Sequence, residues 1–198
     1  MVYVASTSVL DYAGAVLGGL FFGIAVFAKR MRTPRSAEGL TSARSRLSIV
    51  GIGIQSAGFV VAMAAPVRFS TPSGSFRSIA LAAIVLALGV AGALLFDRSA
   101  RALGANWSLV ARMREEHQLV RDGPFARMRH PIYFAMLLLL MALSIGLGHI
   151  WGLAAAMPFF LVGTAIRIRE EERLLRQQFG DAYDKYARET PAFIPFIG

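Results

Sequence analysis

The chain has 198 residues and contains no cysteine, so a disulfide framework, a thiolate metal site and a cysteine nucleophile are excluded. Hydrophobic residues make up 56% of the sequence and charged residues 17%, whereas soluble domains are about 45–50% apolar and about 25% charged. This composition indicates an integral membrane protein. The basic residues stand in the segments between the apolar runs, so we attribute the net charge of +9 to loops beside lipid headgroups. We therefore expect no nucleic-acid partner. The three histidines stand far apart in the chain, so no metal site is expected either.

Five apolar segments follow one another, at about residues 9–28, 47–66, 78–96, 132–148 and 150–166. A helix needs about 20 residues to cross a bilayer, and the segments have about that length, although the last two are short. We therefore predict an all-α integral membrane protein with about five transmembrane helices in a single domain, residues 1–198. The letters GLGH, at residues 146–149, mark the short junction of the last two segments. They predict a C-terminal helical hairpin that either spans the bilayer or enters it less deeply.

The first apolar segment contains two GxxxG spacings, Gly14/Gly18 and Gly19/Gly23. Small residues at this spacing let helices approach closely, so we interpret them as packing residues. Asp11 lies near the start of the segment, and no basic region precedes it. Both features argue against a cleaved signal peptide.

The basic residues predict how the helices are oriented. If five helices span the membrane, 19 of the 21 lysines and arginines fall on one side, in residues 29–46, 97–131 and the tail from 167. Because basic loops stay in the cytoplasm, we predict an outside N-terminus and a cytoplasmic C-terminus.

Two polar segments, residues 103–133 and 167–197, flank the hairpin on the predicted cytoplasmic side. A hairpin brings its two ends together, so Arg129 and His130 should approach the run from Arg167 to Glu172. Pro131 suits the first turn of a helix, where its missing N–H costs little. The simpler interpretation of these cations is that they anchor a helix at the headgroups.

The second polar segment is predicted to be a helix that continues out of the membrane. On such a helix Arg167 faces Glu171, and Glu172 faces Arg176, because each pair is four residues apart. A solvated helix crossed by weak salt bridges is the competing interpretation, and it suits Glu170 and Arg173 best.

The motifs of the C-terminal half resemble the isoprenylcysteine carboxyl methyltransferase family. The resemblance rests on HQLVRDGPFARMRHPIYF at 117–134 and RIREEERLLRQQFGDAYDKYARETPAFIPF at 167–196, with LGANWS at 103–108 upstream. These match, in order and spacing, the family's LG-x-x-W, LV-x-x-G, RHP-x-Y, R-x-x-x-EE and FG-x-x-Y elements. The resemblance covers residues 103–197, and it implies that 1–97 supply transmembrane helices while 98–198 form the cofactor-binding and catalytic module.

The resemblance implies a membrane-embedded enzyme that uses S-adenosylmethionine in a cytoplasmic site, and it assigns roles by position. The residues that would hold the cofactor are His117, Gln118, Leu119, Val120, Gly123, His130, Tyr133 and Glu171. Arg167, Glu172 and Arg129 would serve catalysis, and Trp107 would lie nearby. Phe125 replaces the family's commoner tyrosine, so a role that needs a hydroxyl there is in doubt.

The acceptor stays open at the level of sequence, although we expect it to be lipidic or membrane-associated. By resemblance it is the carboxylate of a prenylated cysteine, which needs no general base and which Arg167 would orient. An amine, as in phospholipid N-methylation, must lose a proton, and Glu172 or His130 would then be the base. The further alternatives are an NADPH-dependent reductase of an unsaturated lipid and a non-catalytic lipid-binding protein.

Overall fold

The computed structural model describes residues 45–64, 75–106 and 118–193. Its α-helices are α1 (Arg46–Ala64), α2 (Phe76–Leu103), α3 (Pro131–Gly146), α4 (Ile150–Phe179) and α5 (Asp181–Glu189). Short 3-10 turns occupy Gly104–Asn106 and Gly123–Ala126. In these ranges the structure is helical without strands, which confirms the predicted fold class. The first apolar segment, with its glycine pairs and Asp11, lies outside the described residues.

Three of the described helices, α1, α2 and α4, are long and apolar enough to cross a membrane. They correspond to the segments predicted at 47–66, 78–96 and 150–166. Helix α3 has 16 residues and is about 24 Å long, which is less than the roughly 30 Å thickness of a bilayer core. Helix α4 has 30 residues and extends about 45 Å. Its last turns therefore continue beyond the apolar part, as predicted.

The helices pack as antiparallel neighbours around the hairpin formed by α3 and α4. Helix α1 packs against α4, and α2 packs against α3. Val85 of α2 contacts Ala142 of α3, and farther along both helices Phe96 and Ala100 contact Ala135. The start of α1, the end of α2, the start of α3 and the last turns of α4 consequently lie together. We call this the polar end of the fold.

Glycines set the distance between α1 and α4. A Cβ atom on Gly163 would come 2.6 Å from the backbone nitrogen of Gln55 and 2.7 Å from the carbonyl oxygen of Gly51. A Cβ on Gly58 would come 3.1 Å from the nitrogen of Phe160. The two backbones are thus in near contact along the interface, because no side chain separates them.

Prolines and glycines determine where the elements of the polar end begin and end. Pro131 occupies the first turn of α3, and His130 is its N-cap in a non-helical conformation, with φ of −126°. Gly180 ends α4 with φ of 49° and lets α5 start at the next residue. Tyr183 and Tyr186 form the buried side of α5, and this side packs back onto the polar end.

Candidate functional site

His130 lies between two neighbouring carboxylates at the polar end. Its Nε2 is 3.2 Å from Oε1 of Glu172, and its Nδ1 is 3.4 Å from Oε2 of Glu171. Only 4% of the residue is exposed. Pro131 fixes where α3 starts, and the imidazole is therefore directed at the last turns of the antiparallel α4. The predicted approach of His130 to Glu172 is confirmed.

The two carboxylates change the protonation of His130. Burial alone lowers the pKa of this imidazole, but its hydrogen bonds with Glu171 and Glu172 and their negative charges outweigh burial, so its pKa is raised above 6.5. His130 is therefore biased toward the protonated form, which donates from both ring nitrogens.

Arg129 joins Glu172 to residues 187–192, which we call the C-terminal segment. Its Nε and Nη2 atoms each lie 2.9 Å from Oε1 of Glu172. Nη1 donates to the carbonyl oxygens of Ala187, at 2.6 Å, and Thr190. The guanidinium thus connects the end of α4 with the end of α5.

Backbone hydrogen bonds hold the C-terminal segment beside the same turn. The nitrogen of Arg129 donates to the carbonyl of Pro191 at 2.9 Å, and that of His130 donates to the carbonyl of Ala192 at 3.0 Å. The hydroxyl of Tyr186 donates to the carbonyl of Phe125 at 2.7 Å. Burial is the main cause that raises the pKa of Tyr186, to about 12, so this phenol stays a donor at any physiological pH.

Glu172 is the centre of the ionic contacts. Besides Arg129 and His130, it accepts at 3.3 Å from Arg176, the residue four positions along α4. Arg176 also reaches Asp184 of α5 at 3.1 Å. The predicted pair of Glu172 with Arg176 is present, but it forms part of a network rather than an isolated bridge.

Arg129, His130, Glu171 and Glu172 form an ionic cluster. Tyr133 and Arg167 extend this cluster toward the apolar part of the helices. The Tyr133 hydroxyl donates to Oε1 of Glu171. The Arg167 guanidinium lies 4.7 Å from the centroid of the Tyr133 ring, a distance at which a cation is attracted to the ring face. Arg167 is only 4% exposed.

Glu170 differs from the sequence interpretation. The solvated-helix interpretation was wrong for this residue, which is 8% exposed. Ser45 at the start of α1 donates to its Oε2 at 2.6 Å, while Arg173 pairs with the same oxygen from an exposed position. Ser45 is 125 residues away from Glu170 along the chain, so the spacing of charges on one helix cannot predict this contact.

Gln55 is a residue that sequence reasoning missed. Its side-chain oxygen accepts from Nη1 of Arg167 at 2.7 Å, and its nitrogen donates to Thr164 Oγ1 at 2.8 Å. The available signal was an amide in the middle of an apolar helix, because polar groups are expensive there and usually have a function.

Residues 118–123, several of which were predicted to hold the cofactor, form a loop that adjoins the cluster. Leu119 and Val120 are half-buried and Gln118 is exposed, while the carbonyl of Gln118 accepts from Asn106 at 3.0 Å. Gly123 has φ of 61°, and nothing lies within 4 Å of the place of a Cβ. Its conformation, not crowding, therefore favours glycine. His117 and Trp107 lie outside the described residues.

Direct contacts thus bring together five of the predicted site residues, namely Arg129, His130, Tyr133, Glu171 and Glu172. Arg167 joins them through the Tyr133 ring. Gln118, Leu119, Val120 and Gly123 form the loop that leads through the 3-10 turn to Arg129. Phe125 is buried in that turn, so a hydroxyl at this position would have to be accommodated in the core.

Comparisons with known proteins match this region. The model of the family described as phospholipid methyltransferase matches residues 78–182. The nickel-cobalt-cadmium resistance protein NccN of Alcaligenes xylosoxydans xylosoxydans is 33% identical over an alignment of 121 residues, with 58% of this chain and 52% of that protein covered. Protein-S-isoprenylcysteine O-methyltransferase B of Arabidopsis thaliana is 37% identical over an alignment of 90 residues, with 43% of this chain and 44% of that one covered.

The chain spans about half the length or less of these curated relatives. A solved structure of the eukaryotic intramembrane Ras methyltransferase ICMT has a TM-score of 0.63 and 21% sequence identity, with 98% of this chain and 70% of that chain covered. This likeness supports the fold.

The resemblance seen in the sequence is confirmed at the level of the family. The family model covers more than half of the chain, including α2 to α4 and the carboxylates Glu171 and Glu172. Together with its apolar helices, this makes the chain an integral membrane protein of the phospholipid methyltransferase family.

Proposed function

We propose that the chain is an S-adenosylmethionine-dependent methyltransferase that methylates the carboxylate of a lipidic acceptor, such as a prenylated cysteine. The observation that carries this proposal is the contact of His130 and Tyr133 with Glu171 and Glu172. The residues of two separate motifs meet there, within the segment that the family model matches.

The donor set fits the cofactor. S-adenosylmethionine supplies, when bound, an electrophilic methyl group on a sulfonium, and it also carries an ammonium and a carboxylate. The Glu171 side chain remains 29% exposed, so its carboxylate is accessible to a cationic group. His130 would hold the Glu171 carboxylate in place, and the loop with His117, Gln118, Leu119, Val120 and Gly123 would hold the remainder of the cofactor.

The protonation of the cluster favours a carboxylate acceptor over an amine. An amine must give up a proton, yet Glu172 already accepts from Arg129, His130 and Arg176, and His130 is biased toward its protonated form. A carboxylate forms the new C–O bond with its own lone pair as the S–CH3 bond breaks, and no proton moves. Arg167 would orient that carboxylate.

Among the three residues assigned to catalysis, the contacts suggest different tasks. Arg129 is engaged with Glu172 and two carbonyl groups, so we give it the task of positioning the cluster. Glu172 fixes His130, while we give Arg167 the task of binding the acceptor. The lipidic acceptor would enter between the helices, and the basic residues of the polar end favour a cytoplasmic site.

A phospholipid amine is the second candidate acceptor, because the matching family model is described as phospholipid methyltransferase. In that case Glu171 is the best base, since its carboxylate is the more exposed of the two.

Calorimetric titration of the detergent-purified protein with S-adenosylmethionine tests the proposal, and NADPH serves as the parallel ligand. We expect saturable binding of S-adenosylmethionine that Glu171→Gln weakens and that Glu189→Gln, at an exposed position on α5, leaves unchanged. Methyl transfer is then measured to N-acetyl-S-farnesylcysteine and to phosphatidylethanolamine vesicles. Binding of NADPH alone would favour the reductase, and binding of neither ligand would contradict an enzymatic site.

A further inference from the structure

Gln55 is a buried amide in α1, a helix that lies before the residues matched by the family model. Only 1% of it is exposed, and it sits among apolar residues of a candidate membrane span. Burying an amide in such surroundings costs free energy unless its hydrogen bonds are made. Both of its polar atoms have partners on α4, Arg167 and Thr164.

The partners fix which way the amide faces. Its nitrogen donates to the Thr164 hydroxyl at 2.8 Å, which leaves the oxygen directed at the Arg167 guanidinium, 2.7 Å away. The flipped amide would place its N–H2 group against the N–H donors of arginine and would lose the bond to Arg167, whereas the Thr164 hydroxyl can bond to either end of the amide. Arg167, which can only donate, therefore sets the direction of the amide, while Thr164 anchors the amide nitrogen and Gln55 holds Arg167.

Gly51 makes room for the stem of Arg167. A Cβ on Gly51 would come 2.7 Å from Cγ of Arg167, so the side chain passes directly over the glycine. Side chains on a helix point toward its N-terminus, and for α4 this direction leads away from the polar end. The guanidinium is thus carried into the apolar part of the fold, to the level of Thr164.

At that depth the guanidinium is linked to the carboxylate cluster. It lies over the ring of Tyr133, and the Tyr133 hydroxyl donates to Glu171. A continuous series of contacts therefore runs from Thr164 and Gln55 through Arg167 and Tyr133 to Glu171.

We propose that Gln55 is a positioning residue, which holds the Arg167 guanidinium at the depth where the anionic headgroup of a membrane-borne acceptor reaches the site. This inference rests on the proposed methyltransferase function, and it extends the site to α1. It assigns the acceptor an anionic group attached to an apolar tail, because the cation that receives it lies inside the apolar part of the helices.

Kinetics with S-adenosylmethionine and N-acetyl-S-farnesylcysteine test the role of Gln55. Gln55→Leu keeps the approximate volume and removes the hydrogen bond to a charged group, and such a bond is typically worth about tenfold or more in an equilibrium. We expect about a tenfold rise in the KM for the acceptor, while the KM for the cofactor changes less than about twofold. Gln55→Glu should raise the acceptor KM further, because its carboxylate competes for the same cation.

Two Thr164 variants and one glycine variant separate positioning from folding. Thr164→Val removes the hydroxyl that anchors the amide nitrogen of Gln55 and should raise the acceptor KM, whereas Thr164→Ser keeps the hydroxyl and should leave the acceptor KM near its wild-type value. Gly58→Ala is the matched packing control, since its Cβ would press on Phe160 and Ala156 of the same helix pair, away from Arg167. It should lower thermal stability without changing the ratio of the two KM values.

The outcomes distinguish this inference from the function on which it rests. If the wild-type protein binds no S-adenosylmethionine or transfers no methyl group to the farnesylcysteine, the proposed carboxylate methyltransferase falls and Gln55 loses this role with it. If the wild type is active and Gln55→Leu and Gln55→Glu both keep the wild-type acceptor KM, only the inference about Gln55 is contradicted. An equal rise in both KM values, also seen in Gly58→Ala, would reduce Gln55 to a packing residue.

Discussion

The position of His130 between Glu171 and Glu172 makes its protonation a part of the protein's stability. A group whose pKa is higher in the folded state binds its proton more tightly there, so the folded state is stabilised at low pH. The stabilisation is complete below pH 6.5, the ordinary pKa of histidine, and is lost as the pH rises through the raised pKa of His130.

We therefore expect the apparent melting temperature of the wild type to fall as the pH increases above about 6.5. In His130→Gln the melting temperature should be lower at acidic pH and should change less over the same window. Thermal unfolding in detergent at constant ionic strength measures both. An identical pH profile for the two proteins would show that the carboxylates do not retain the proton of His130.

At the scale of the helices, the close contact of α1 with α4 explains how the N-terminal part enters the site. Gly163→Ala should force the helices apart, because its Cβ would meet backbone atoms of Gln55 and Gly51 on the facing helix. Overpacking of this kind typically costs about 1–3 kcal/mol, and here it also displaces Gln55. The expected result is a lower melting temperature together with a higher KM for the acceptor.

Gly53→Ala is the matched control for that variant. Gly53 lies on α1 between the contact glycines, but nothing lies within 4 Å of the place of its Cβ. Alanine is favoured over glycine inside a helix by about 0.5–1 kcal/mol, so Gly53→Ala should be neutral or slightly stabilising. A similar loss of stability in both variants would mean that the α1–α4 contact is looser than the structure has it.

The same helix contacts mark the limit of what the sequence predicts. The meeting of His130 with Glu172 followed from the order of the motifs and an antiparallel hairpin, and neither requires knowledge of side-chain packing. The burial of Glu170 did not follow, because its spacing to Arg173 also suits a solvated helix, and its hydrogen bond with Ser45 joins it to a distant segment. Gln55 was missed for the same reason, since both of its partners lie more than 100 residues away along the chain.

At the scale of the whole molecule, the C-terminal segment closes the polar end by contacts with the turn before α3. The bonds of Arg129 to Glu172, Ala187 and Thr190 connect α4, α5 and this turn. The chain after α4 is thus part of the site's framework, and we expect damage to this connection to reach the cofactor although no residue of α5 need touch it.

Arg129→Lys and Arg173→Lys test this expectation as a matched pair, because each arginine pairs with a glutamate of α4. The Arg129 side chain is 13% exposed and that of Arg173 is 53% exposed. Lysine carries a single ammonium and cannot reproduce the fork with which Arg129 reaches a carboxylate and two carbonyls. We expect Arg129→Lys to cost about 1–3 kcal/mol, whereas an exposed pair such as that of Arg173 is worth about 0–1 kcal/mol.

Calorimetry then links this stability to the site. In Arg129→Lys the C-terminal segment loosens from the turn that carries His130, so affinity for S-adenosylmethionine should fall together with the melting temperature. Arg173→Lys should leave both near their wild-type values. If Arg129→Lys lowers cofactor affinity without any loss of stability, the guanidinium touches the cofactor directly, and the role of Arg129 is binding rather than the fastening of the C-terminal segment.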